Sequence, residues 1–371
     1  MIEFDRYKRI LNEDFPVYLK ARDRKPVIRQ AMEIYRLMRM YRYLPYQYLK
    51  HGLYRRGFDK EIYRYIPPEL LHLTRNNLNA RGDKEALHDK LQQEKMLCDG
   101  GVPTTKTLFR LQKSGIVDLE GNQVEFKDFI DRVGEMALPR GMIVKPRDGG
   151  SGAAVFKMDV EDGILIHEGE PLDFEAFRTL VYTTRHGEFW EEFVIQETIV
   201  QHPDLDRLNA SSVNTVRIDT FIDDDGKVSF NAAALKIGVP GSVTDNGSSG
   251  GYMAGLDLAT GHFTSGARRY AHDSGKNYDM RELYGIDPDT FAVPYWQDLL
   301  TTARKAAKCV APFRSLGWDI AVAKDGPVVI EANHDYGVYV LQDLAGGYAD
   351  QPLGRAFLEQ FPNRDKVLAA L

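Results

Sequence analysis

Asp319, Glu331 and Asn333 lie in one stretch, GWDIAVAKDGPVVIEAN, residues 317–333. Two apolar runs flank Lys324-Asp325-Gly326, the pattern of a β-hairpin with a short glycine-containing loop. A hairpin centred on Asp325 sets Asp319 opposite Glu331, Ile320 opposite Ile330 and Val322 opposite Val328. Strand side chains alternate, so the apolar pairs share one side. Asp319, Glu331 and Asn333 share the other, with the two carboxylates roughly 5 Å apart at Cβ. Facing like charges destabilise a sheet unless a cation lies between them. Three oxygen donors without Cys or His suit Mg²⁺ or Mn²⁺, usually held through a substrate phosphate. An ordinary exposed hairpin with two acids on its polar face fits the same residues. His334 follows directly and is placed to touch a substrate or act as a base, or merely to fill a turn.

Further upstream stand cations and glycines suited to phosphates. MIVKP, residues 142–146, predicts a short buried strand ending at Lys145, and RDGGSGAAVFKM continues through Gly149, Gly150, Ser151 and Gly152 into a second strand. Without Cβ atoms such a turn can lay backbone N–H groups over an anion, although a plain hairpin tip reads the same way. No GK[ST] follows, so this is not a Walker loop. FVIQETIV is an apolar strand in which Glu197 is either a partner for ribose hydroxyls or an exposed strand-end acid. VNTVRIDTFI and VSFNAAALKIG form a second alternating pair around DDDGK. They set Arg217 and Lys236 on neighbouring strands, as paired phosphate contacts or as neutralisers of carboxylates such as Asp219.

The elements that must position these residues begin with a basic segment. Lys20 to Arg64 is crowded with Arg, Lys and Tyr, and Val27, Ala31, Ile34, Met38 and Tyr41 recur at helical spacing, predicting a helix over 26–44 with that face inward. Its arginines form either a docking surface for an anionic membrane, a nucleotide-linked sugar or an acidic partner, or a solvated face. Asp83 predicts the cap of one helix running to Cys98, with Leu87, Leu91 and Cys98 inward. On such a helix Lys90 is ordinarily solvent-facing. Residues 238–261, dense in Gly and Ser, read as a substrate loop too polar for a core. Helices are expected near 174–185, 294–313 and 353–361.

The 371 residues allow two or three domains, and 43% hydrophobic content supports a substantial core. No run nears the roughly 20 apolar residues of a membrane helix and no signal peptide is legible, so a cytoplasmic protein is expected. Cys98 and Cys309 are too few for a disulfide framework or zinc site. A net charge of −6 argues against a nucleic-acid binder.

In this order, Asp89-Lys90, VKP with Lys145, the Gly-rich hairpin, Glu197, the Arg217 and Lys236 pair and the Asp319, Glu331, Asn333 cluster resemble the ATP-grasp superfamily. DKLQQEKML and IVKP resemble segments of D-alanine:D-alanine ligases that each supply a lysine to ATP. NTVRIDT, LKIG, TDNGSSGG and GWDIAV…GPVVIEAN resemble the branch called sugar-transfer associated ATP-grasp, over residues 80–350. The resemblance implies an α+β fold: a helical N-terminal region (1–80), the start of the ATP-grasp module (81–140), a small α/β ATP-covering subdomain (141–199) and a larger antiparallel C-terminal subdomain (200–371). It implies ATP between the last two. Asp319 and Glu331 would hold one magnesium, and Glu331 with Asn333 a second. Lys90 and Lys145 would reach the phosphates under the Gly149–Gly152 lid, with Arg217 and Lys236 at the γ end. Glu197 would take the ribose, and backbone near Thr198 and Ile199 the adenine.

The family chemistry converts a carboxylate to an acyl phosphate that an amine then attacks. Tyr336-Gly337 stands where those ligases carry Pro-Gly, a departure that touches the second-substrate pocket. The expectation is an ATP- and Mg-dependent carboxylate–amine ligase acting on a saccharide-linked or amino-acid substrate. A kinase or phosphotransferase, or a nucleotide-responsive binding protein, stands as the alternative.

Overall fold

The computed structural model describes residues 12, 14–58, 62–149, 154–183, 190–245, 250–269 and 277–361. Eight strands, β1 (Thr107–Gln112), β2 (Gly115–Val117), β3 (Gln123–Val124), β4 (Met142–Pro146), β5 (Phe156–Glu161), β6 (Ile164–His167), β7 (Glu170–Leu172) and β8 (Glu192–Glu197), form one antiparallel sheet in the order β3-β2-β1-β8-β4-β5-β6-β7. Six more, β9 (Thr215–Ile222), β10 (Val228–Ile237), β11 (Tyr252–Leu256), β12 (Phe263–Arg269), β13 (Ser315–Ala323) and β14 (Gly326–Asn333), form the second, ordered β12-β11-β10-β9-β13-β14. Two antiparallel sheets interleaved with helices make an α+β fold. No helix among the described residues is long and apolar enough to cross a membrane.

The first sheet is covered by the helices Phe126–Glu135 and Phe174–Thr183, whose Phe129, Val133, Phe177 and Val181 meet Phe109, Val144 and Ile195. The second is buried on both faces, which is why its central strands read as continuous apolar runs. One face packs on the helix Trp296–Cys309 through Leu299, Ala303 and Ala306. The other receives the helices Val338–Ala345 and Pro352–Gln360 together with Tyr41, Leu53, Tyr65 and Leu71 of the N-terminal region. The basic N-terminal stretch therefore builds half of a core.

Several elements depart from the sequence expectations. The helix Val27–Tyr41 buries Gln30, Glu33, Leu37, Met40 and Tyr41, while Val27, Ala31 and Met38 face solvent. Apolar spacing located this helix and placed Tyr41 and Ile34 against the core, but not Val27, Ala31 and Met38, because the inward face is turned toward the buried cluster around Glu33. The single helix expected over 83–98 is two, Lys84–His88 and Lys90–Asp99. They are broken at Asp89, whose extended backbone lets its side chain accept from Leu91 N and Gln92 N. Leu97 is buried in place of Cys98, which is exposed. Residues 252–256 of the expected polar loop form β11, and Met253, Ala254 and Leu256 are buried. Gly150, Ser151 and Gly152 lie outside the described residues.

Candidate active site between the two sheets

The β13–β14 hairpin sets the site. Asp319 pairs with Glu331, Trp318 with Ala332 and Gly317 with Asn333, as expected. Beyond Asp319 the register shifts, so Ile320 faces Val329 and Val322 faces Pro327. The expected pairings of Ile320 with Ile330 and Val322 with Val328 do not form. Ile330 is left over as a β-bulge, a device that re-aims side chains next to sites. It lines, beside Glu331, the cleft between the sheets.

Two linkers fasten the first sheet to this hairpin. Residues 103–105 run along it through Val329 N to Pro103 O, 2.9 Å, and Thr105 N to Val329 O, 3.2 Å. The chain leaving β8 does the same near the turn, with His202 N on Val322 O at 2.8 Å and Lys324 N on Val200 O at 3.0 Å.

From the first sheet, β4 turns Met142, Val144 and Pro146 into its core and leaves Ile143 and Lys145 on the cleft side. Burial, with the Lys90 charge adding to it, lowers the Lys145 ammonium to about 8 against the pull of Glu331 and Glu94. Lys90 donates to Gly149 O at 2.7 Å, and burial lowers its ammonium too, with Glu331 opposing. Arg147 holds Asp89 at 2.6 Å and Glu192 at 2.8 Å, locking the helix start to the end of β4. A Cβ on Gly149 would stand 3.1 Å from both Pro146 Cβ and Trp190 Nε1. Glu197, Thr198 and Ile199 line the cleft where the chain leaves β8. Thr198 N–H is spent on Gly141 O at 3.1 Å. Its Oγ1 is buried without a hydrogen-bond partner among the described residues.

From the second sheet come the charges. Arg217 on β9 grips Asp319 bidentately, Nε to Oδ1 at 2.6 Å and a terminal nitrogen to Oδ2 at 2.8 Å. Lys236 on β10 stands 3.2 Å from Asp319 Oδ2 and 3.1 Å from Asp245 Oδ1. Burial opposes ionisation of Asp319, but Arg217 and Lys236 outweigh it and hold the carboxyl well below the usual range. Burial likewise opposes the Lys236 charge, and Asp245 with Asp319 raises it. Burial pushes the Asp245 carboxyl up against the pull of Lys236. Of the two sequence readings of Arg217 and Lys236, neutralising a carboxylate describes the geometry, and that carboxylate is Asp319. Asp219 is held instead by Tyr336, Tyr348 and Asn231.

Asn333 Nδ2 donates to Glu331 Oε1 at 3.1 Å. Among the described residues no three His, Cys, Asp or Glu side chains gather as a metal cage. His334 is not among the residues lining the cleft; its Nε2 lies 3.1 Å from that of His88. Burial, with His88 and Lys84, lowers its imidazole.

Residues 72–351 match the family described as sugar-transfer associated ATP-grasp. The chain belongs to this family. No curated protein matches it. Among solved structures it is similar to D-alanine–D-alanine ligase from Bacillus anthracis, at 14% identity over 78% of this chain and 72% of that one, TM-score 0.39. It is also similar to D-alanyl-alanine synthetase A from Vibrio cholerae, at 11% identity over 78% and 68%, TM-score 0.42. A third is L-amino acid ligase from Bacillus licheniformis, at 12% over 74% and 48%, TM-score 0.36.

In this ATP-grasp chain the sequence reading missed Asp245, Thr215 and Ile330. Thr215 N donates to Asp245 Oδ2 at 2.9 Å, and its hydroxyl binds the same oxygen. The signal was the acid of TDNGSSGG, set in a loop otherwise of small residues. Val243, Thr244 and Asp245 of that loop line the cleft.

Proposed function

We propose that this protein is an ATP-dependent ligase that joins a carboxylate to an amine, on a saccharide-linked or amino-acid substrate. The observation that carries the reading is a cleft lined both by the charged Lys145, Lys236, Asp319 and Glu331, with Arg217 bound to Asp319, and by the apolar Ile143, Val155, Ile199 and Ile330. A flat base suits the apolar lining, with Thr198 Oγ1 as a hydrogen-bond partner and Glu197 accepting from ribose hydroxyls. Triphosphate oxygens suit the three cations.

Magnesium fits the donors present. Asp319, Glu331 and Asn333 are hard oxygen ligands from neighbouring strands, and their small number matches an ion completed by phosphate and water. When bound, it would neutralise charge that develops as the γ-phosphoryl group departs. Phosphates arriving at Arg217 and Lys236 compete for the cations that now hold Asp319, and so free its oxygens. A carboxylate oxygen of the substrate then takes the γ-phosphoryl group as its bond to the β-phosphate breaks. The amine attacks the acyl carbon, phosphate leaves, and the nitrogen gives up one proton. The chain would do this in the cytoplasm, where ATP is available.

The test is mass spectrometry of products from Mg²⁺, ATP and pooled carboxylates and amines, beside Glu331→Ala. ADP, phosphate and a condensed product, absent with the variant, are expected. A stable phosphorylated product without condensation would make the protein a kinase, and AMP with pyrophosphate would exclude an acyl phosphate.

A further inference from the structure

The helix Val27–Tyr41 turns its one acid and Gln30 inward together with Leu37, Met40 and Tyr41. Glu33, its only acid, is buried and takes Lys25 at 3.1 Å, Arg29 at 3.0 Å and Tyr48 at 2.6 Å, while Gln30 caps Lys25 O at 2.6 Å. Outward it carries a run of apolar side chains: Val27 is 76% exposed, Ile28 77%, Met32 49%, Tyr35 60% and Met38 43%. These recur at helical spacing and form one stripe, with Arg39 stacked over Tyr35 and Arg36 along its flank. A single exposed apolar side chain needs no explanation, whereas a continuous stripe marks an interaction site.

The charge around the stripe specifies the occupant. Residues 20–58 carry eleven Lys and Arg against Asp23 and Glu33, in a chain of net charge −6. With Glu33 turned inward, no acid stands on the outward side of this helix. Arg22 and Arg42 are exposed beyond its two ends. A convex face of 15 residues, about 22 Å long, mixes apolar and long cationic side chains, which suits a plane with an oily interior and an anionic surface. We propose that this helix docks the protein on an anionic lipid bilayer, lying in the interface with Ile28, Met32 and Tyr35 inserted and the arginines at the headgroups. The proposal rests on the surface alone and stands apart from the chemistry in the cleft.

The test is flotation of the full chain with vesicles of phosphatidylcholine containing 30% phosphatidylglycerol, and with phosphatidylcholine alone. Binding is expected only to the anionic vesicles and to weaken with salt. Each of Arg36→Gln and Arg39→Gln should weaken it about fivefold, and Ile28→Ser with Tyr35→Ser at least tenfold. Both side chains of the last variant are exposed, so its melting temperature should be unchanged; Ile28→Ser alone serves if it is not. No binding to anionic vesicles, equal binding to both kinds, or binding indifferent to the apolar variants would overturn the proposal. So would a dimer in gel filtration that Ile28→Ser dissolves, since the stripe would then belong to a second copy.

Discussion

Replacing Lys145 by Met should make the free protein more stable near neutral pH and less able to bind nucleotide, and both effects follow from one number. The unfolded lysine titrates near its ordinary 10.5, whereas in the fold burial and Lys90 bring it to about 8. Between those values the unfolded chain binds more protons than the native one, so native stability rises with pH. From pH 7 to 9.5 the gain amounts to about 2 kcal/mol, and Lys145→Met should lack it. Urea melts at the two pH values measure this directly. Nucleotide binding carries the opposite sign, because an arriving phosphate favours the charged lysine. Wild-type affinity for MgATP, read by calorimetry, should hold below pH 8 and fall above it, by up to tenfold per pH unit. Lys145→Met should bind weakly and without this slope. Lys90→Met should move the break to higher pH, since the Lys90 charge is a cause of the depression. A wild-type affinity that stays flat from pH 7 to 9.5 would refute the argument.

Asp319→Asn should cost about 3 kcal/mol in urea melts, because it leaves Arg217 and Lys236 recessed beside each other without their shared carboxylate. Adding Arg217→Met should restore part of that loss. Asp319, depressed in the fold, contributes stability that is present above about pH 4 and lost as pH falls through its folded value. The Asn variant should therefore lose less on acidification, a difference that pH-dependent melts reveal. Gly317→Ala would place a Cβ 2.7 Å from the buried Tyr336 ring, whose hydroxyl binds Asp219. It should lower stability by about 1–3 kcal/mol in the same melts.

The cross-strand meeting of Asp319 and Glu331 was read from alternation about a loop centred on Asp325; the turn is instead the two residues 324–325, and the pair meets because the bulge at Ile330 restores that register. The shift beyond Asp319 was not legible, since Ile330 is as apolar as its neighbours and nothing in its type marks it as unpaired. Lys145 and Ile143 could be placed on one side of β4 by period two alone. The inward side of the helix Val27–Tyr41 escaped the same reasoning. Beside Leu37 and Met40 it buries Glu33, whose partners Lys25 and Tyr48 meet it only after folding. Asp245 escaped because a loop composition conceals which of its residues will be drawn under a sheet by a lysine on β10.

The split register of the β13–β14 hairpin leaves Ile330 surplus to the ladder. With Ile330 deleted, Asp319 would still face Glu331, Ile320 would still face Val329, and every remaining rung would be consecutive. Pairing therefore supplies no reason for this residue to exist. Its side chain instead lines the cleft, so the extra residue of β14 serves the cleft wall rather than the ladder.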